Sequence, residues 1–171
     1  DYRALPQKLG LDPARITEGL TRIGVGIFKK FVIADTLAQG ASLDAVTVAQ
    51  ADSTVGLWLL LYGYALRLFF DFSGYTDIAI GIGILFGVKL PENFNRPYLK
   101  TNITAFWQSW HITLSNWVRF YVFTPLSRFL LTRQPKPSPM LVVLSAQMST
   151  MIIIGLWHGV TVNFLIWGIW H

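Results

Sequence analysis

Three histidines, His111, His158 and His171, are the only side chains in the second half of this chain that can exchange a proton near neutral pH. His158 lies inside Pro137–His171, 35 residues with no Asp, Glu, Lys or Arg, in the local sequence Gly155-Leu156-Trp157-His158-Gly159. An ionisable group in bilayer-grade sequence is costly, and it marks a proton path or a reacting group. A placed neutral imidazole can take the proton from a hydroxyl and turn it into a nucleophile. A metal centre is not expected: no two histidines are three or four residues apart, and there is no cysteine. A Ser-His-Asp triad has no Gly-x-Ser-x-Gly elbow to support it. Each histidine has a plainer alternative, a structural hydrogen-bond donor. Gly155 and Gly159 around His158 fit either close helix packing or access for a substrate, and spacing alone leaves both open.

The residues around His111 fit a helix over 103–122. Trp107, Trp110, Leu114, Trp117 and Tyr121 fall on one apolar face. Thr104, Gln108, His111, Ser115 and Arg119 form a polar stripe on a neighbouring face. In hydrocarbon such groups go unsatisfied, so the stripe faces protein, a water-filled cavity, or the headgroup layer.

The elements that must carry these residues look membranous. Of 171 residues, 53% are hydrophobic and only 13% charged. All nine acidic residues lie at or before Glu92, against eight basic ones; residues 93–171 hold six basic groups and no acid. No carboxylate in the second half can therefore act as a base. The basic excess near Arg119, Arg128, Arg133 and Lys136 fits a cytoplasmic loop or an anionic ligand. Residues 1–18 are expected to be a polar surface lead-in, followed by a helix over 19–38 and an extramembrane loop over 39–53. Val55–Phe70 and Ile78–Val88 are apolar runs, each short of the roughly 20 residues of a span, so they form one long broken helix or two short ones. Arg67 and Asp71 are spaced to pair on a helix. Residues 89–100 are expected as a loop, with Thr101 or Asn102 capping the next helix. Residues 128–139 make a basic, proline-rich loop, and 140–171 a full span with part of a second, or one bent helix. The whole reads as a single membrane-embedded domain, expected to be a piece of a longer protein with helices missing at both ends.

Four ordered motifs carry a resemblance. Phe70-Asp71-Phe72-Ser73-Gly74-Tyr75-Thr76-Asp77 comes first, then Pro91-Glu92-Asn93-Phe94-Asn95-Arg96-Pro97-Tyr98. Phe106-Trp107-x-x-Trp110-His111-Ile112-Thr113-Leu114-Ser115-x-Trp117-x-Arg119 follows, and Gly155-Leu156-Trp157-His158-Gly159 closes the series. This resembles the membrane-bound O-acyltransferase family, in the branch of alginate and peptidoglycan O-acetyltransferases that is related to the teichoic acid D-alanyl transferase. Lys29-Lys30 with Ala34-Asp35 fits the same branch. Phe120 stands where the family often has Asp.

The resemblance implies an all-α, polytopic membrane protein: a ring of short, tilted helices around a central tunnel. It implies His158 as catalytic base and His111 as a second tunnel residue that orients the acceptor or polarises the carbonyl. Arg119, Ser115, Gln108, Trp107 and Asp77 are the expected donor- or substrate-side residues. No bound cofactor is expected; acyl-CoA or another acyl thioester serves as donor substrate. The expected partners are membrane lipids, the thioester donor, and a polysaccharide acceptor or an extracytoplasmic relay acyltransferase, with no nucleic acid. The expected location is the inner (plasma) membrane, crossed several times. The rival class is a proton-coupled transporter or channel subunit lined by the histidines.

Overall fold

The computed structural model describes residues 12–40, 48–49 and 51–171. They are helical, with no β-strand among the described residues. Two compact units divide at Phe94 and Asn95.

In the first unit, helix α1 (Pro13–Ile27) starts at Asp12, whose carboxylate accepts from the Ala14 N–H at 3.0 Å. Its start lies earlier than expected, because Asp12-Pro13 supplies both a cap and a proline suited to the first turn. The part of the lead-in before residue 12 lies outside the described residues, as does most of the 39–53 loop. The chain widens into π-type turns over Phe28–Ala34 and returns to α-helix as α2 (Asp35–Gly40). Helix α3 (Thr54–Leu85) is unbroken through the first apolar run and most of the second, ending three residues before Val88. At 1.5 Å per residue its 32 residues reach about 48 Å, well beyond a bilayer core of about 30 Å.

The first half of α3 presents large apolar side chains outward, with Val55 67% and Leu59 68% exposed. The second half packs on α1. A methyl group built on Gly26 would lie 2.6 Å from the Gly74 carbonyl oxygen, and one on Gly74 2.7 Å from that of Gly26. Only glycine allows two backbones this close. Ion pairs lock the contact. Asp77 is buried, accepting from Arg22 Nε at 2.7 Å and Lys29 Nζ at 2.6 Å. Arg22 also reaches Glu92 at 2.6 Å. Asp71 pairs with Lys30, not with Arg67 as its spacing suggested. The nearer cation on the helix loses to one 41 residues away in sequence, because α1 brings Lys30 alongside.

The second unit begins with an irregular segment and a 3₁₀ turn at Pro97–Leu99. Two short helices follow, α4 (Ile103–Trp107) and α5 (Ile112–Val118). π-type turns over Arg119–Phe123 lead into α6 (Thr124–Leu131), so the proline-rich loop begins after Leu131. Helix α7 (Pro139–His158) is capped by Ser138, and α8 (Val162–Trp170) by Thr161. The last apolar stretch is thus a helical hairpin broken at 159–161. Gly155 makes the hairpin tight, since a side chain there would meet the Phe164 carbonyl, and one on Gly168 would lie 2.6 Å from the Met151 carbonyl oxygen. Helix packing thereby accounts for Gly155. By length and composition, α3 and α7 can each cross a membrane.

Candidate active site

The continuous helix expected over 103–122 does not form. Asn102 caps α4 by accepting from the Ala105 N–H at 2.8 Å, and the helix stops after one turn. His111 then adopts the left-handed conformation, φ 44° and ψ 56°, and its carbonyl accepts the first hydrogen bond of α5 from Ser115 N–H at 3.0 Å. Histidine is among the residue types that enter this region more readily than most. The conformation still costs on the order of 1–3 kcal/mol, and it persists where the surroundings dictate it.

This kink redistributes the expected stripes. Trp110 stacks on Phe106 at 5.8 Å and meets Tyr98 at 5.9 Å. Trp107 turns instead to Trp167 and His171. Ser115 Oγ points at two main-chain carbonyls, Trp107 at 3.4 Å and Trp110 at 3.3 Å, so its hydroxyl secures the kink. Gln108 is exposed in the turn, and Arg119 is exposed at the end of α5. Asp77 belongs to the first unit, with both carboxylate oxygens engaged by cations.

The two principal histidines share one indole. The His111 and Trp157 ring centres lie 5.7 Å apart, and those of Trp157 and His158 4.9 Å. His158 closes the last turn of α7, where Phe164 stacks on it at 5.9 Å and Trp167 meets it edge-on at 5.7 Å. Sequence reasoning placed this imidazole deep in apolar surroundings. The structure puts it at a helix end, packed on aromatic rings yet still exposed. A cavity of about 390 Å³ opens beside His111, lined by His111, Thr113, Leu114, Trp117 and Trp157; His158 is not among its lining residues and borders it through Trp157. Its volume is in the range of small-molecule sites.

Burial, and then the nearby charge of a protonated His158, push the His111 pKa down to about 4. The group is therefore a neutral imidazole at physiological pH. Between pH 6.5 and about 4 the unfolded chain binds a proton that the folded chain does not, so stability falls as pH drops through that window. His111→Asn, which tolerates the same backbone, is expected to lose less stability over that range. His111→Val is expected to cost about 1–2 kcal/mol at neutral pH, because a β-branched residue resists positive φ. Thermal unfolding of both variants at pH 7 and pH 5 measures these effects.

Sequence reasoning missed Thr113, Phe164, Trp167 and His171 as neighbours of the site. Phe164 and Trp167 carry no chemical signal in the sequence, Thr113 and His171 were visible as residues but not as neighbours, and the hairpin of α7 and α8 brings the last three together.

A probable alginate O-acetylase of Pseudomonas aeruginosa is 41% identical, covering 92% of this chain and 28% of that protein. A peptidoglycan O-acetyltransferase of Helicobacter pylori is 40% identical, over 94% of this chain and 29% of its own length. A teichoic acid D-alanyltransferase of Bacillus subtilis is 33% identical, over 90% of this chain and 38% of its own. The chain thus spans well under half the length of these curated relatives. The profile of the membrane-bound O-acyltransferase family matches residues 5–171, nearly the whole sequence, and the chain belongs to that family.

Proposed function

We propose that the protein containing this chain is a multi-pass O-acyltransferase of the plasma membrane. It would move an acyl group, expected to be acetyl, from a cytoplasmic thioester toward a hydroxyl of a cell-envelope or exported polysaccharide. Transfer is direct, or passes through a partner outside the membrane. The observation that carries this reading is the pair of imidazoles sharing Trp157, with His111 and Trp157 lining a cavity of small-molecule size. The names of the relatives, two O-acetyl transferring enzymes and a D-alanyltransferase, support acyl transfer as the reaction class.

His158 takes the proton from the acceptor hydroxyl as its oxygen attacks the thioester carbonyl. The tetrahedral adduct then collapses, the carbon–sulfur bond breaks, and the thiolate leaves with the proton returned from the imidazolium. His111 remains neutral and donates a hydrogen bond to the carbonyl oxygen or orients the acceptor. Trp117, Leu114 and Trp157 exclude water from the thioester. Arg119 and Gln108 are exposed; in this reading Arg119 would meet phosphate on the donor and Gln108 its amides. Ser115 and Trp107 act by shaping the kink that sets His111.

The test is acetyl ester on secreted polysaccharide from strains carrying full-length wild type, His111→Ala and His158→Ala. Loss of ester in both variants, with protein levels held, is the expected result. Equal ester in all three strains would overturn the proposal and favour proton transport.

A further inference from the structure

The third histidine has no part in the chemistry above, yet it lies in the same ring cluster. The His171 ring sits 4.3 Å from that of Trp167, tilted by 36°. Its Nδ1–H donates to the Trp167 carbonyl oxygen at 3.0 Å, which pins the ring over the preceding turn of its own helix. Trp107 closes the cluster from α4, edge-on to His171 at 5.4 Å and to Trp167 at 6.3 Å. Trp167 is thus held between two rings, and it meets His158 at 5.7 Å and 80°. The backbones of α7 and α8 are fixed by Gly155 and Gly168, so they cannot slide to reset His158. What remains adjustable is the rotation of the His158 side chain. That rotation is bounded by Phe164 on one contact and Trp167 on another.

We propose that His171 is a positioning residue: by clamping Trp167 against Trp107, it sets the rotamer of His158. The proposal rests on His158 being the base of acyl transfer. His171 touches neither donor nor acceptor in this account, and it moves no proton. Its ring and its hydrogen bond to Trp167 do the work. A base misplaced by a fraction of an ångström loses rate while the substrate still binds.

The experiment uses membranes carrying the full-length protein, with labelled acetyl-coenzyme A as the probe donor and alkali-labile label on polysaccharide as the readout. His171→Ala is expected to lower kcat by about tenfold, with KM for the donor and the unfolding temperature unchanged. His171→Phe keeps a ring against Trp167 and is expected to restore most of that loss. Trp167→Ala should fall at least as far, and the double variant should fall no further than Trp167→Ala alone, because the two residues act in series. Wild-type kcat in His171→Ala would overturn the proposal. So would His171→Phe as slow as His171→Ala, additive losses in the double variant, or a loss of rate that tracks loss of folded protein. His158→Ala run alongside separates the two levels. If it retains transfer, the base assignment fails; if it is dead while His171→Ala is normal, only the positioning role fails.

Discussion

Replacing His158 by alanine in the full-length protein is expected to cut acyl transfer by a factor of about 10²–10⁴, the contribution of a placed general base. The loss should fall on kcat, since the cavity walls proposed to hold the donor, Leu114, Trp117 and Trp157, are untouched. Folding should survive. His158 sits exposed at the end of α7, and the closure of the α7–α8 hairpin is made by Gly155 and Gly168. Steady-state kinetics on membranes, normalised to protein by immunoblot, measures the effect. A variant with normal kcat would remove His158 from the chemistry. A variant with normal kcat and a much higher KM would make the imidazole a donor-binding group instead.

The second large effect concerns stability. Asp77→Ala is expected to lower the unfolding free energy by about 3 kcal/mol, the scale for removing one partner from a buried ion pair. The Asp77 side chain is only 8% exposed, and its loss leaves Lys29 without that carboxylate and Arg22 with Glu92 alone. Asp77→Asn keeps the shape and one acceptor, and should lose less. Thermal unfolding of the detergent-solubilised protein, followed by tryptophan fluorescence, reads the difference. A normal melting temperature with lost acyl transfer would return Asp77 to the substrate side, where the motif alone had placed it.

Particular residues show what was legible in the sequence. The histidine motifs survive reading as a string, because charge and aromatic type around His111 and His158 are local properties. The kink at His111 was not legible. Spacings of three and four residues continue straight through Gln108–Trp110, and periodicity cannot detect one residue at positive φ. Arg67 and Asp71 show the same limit from another side. The i,i+4 rule weighs neighbours on one helix, whereas the actual partner, Lys30, comes from the π-type turns that follow α1. The break expected in α3 rested on two apolar runs, each too short to span by itself. Once Arg22 of α1 and Lys29 and Lys30 of the π-type turns after it neutralise Asp77 and Asp71 between those runs, nothing forces the helix to stop. The exposure of His158 was misjudged because an apolar segment implies a dry environment, while the position of a residue at a helix end depends on where the hairpin turns.

The carboxylates that answer α1 arrive late. Arg22, Lys29 and Lys30 leave the ribosome 41 to 55 residues before Asp77 and Asp71. Each cation entering hydrocarbon on its own costs about 3 kcal/mol. The segment from α1 to Ala34 is therefore not expected to enter a membrane by itself, and its ion pairs with Asp71 and Asp77 can form only once α3 has been made. Assembly of this half is expected to need both segments, because the cations of the first find these carboxylates on the second.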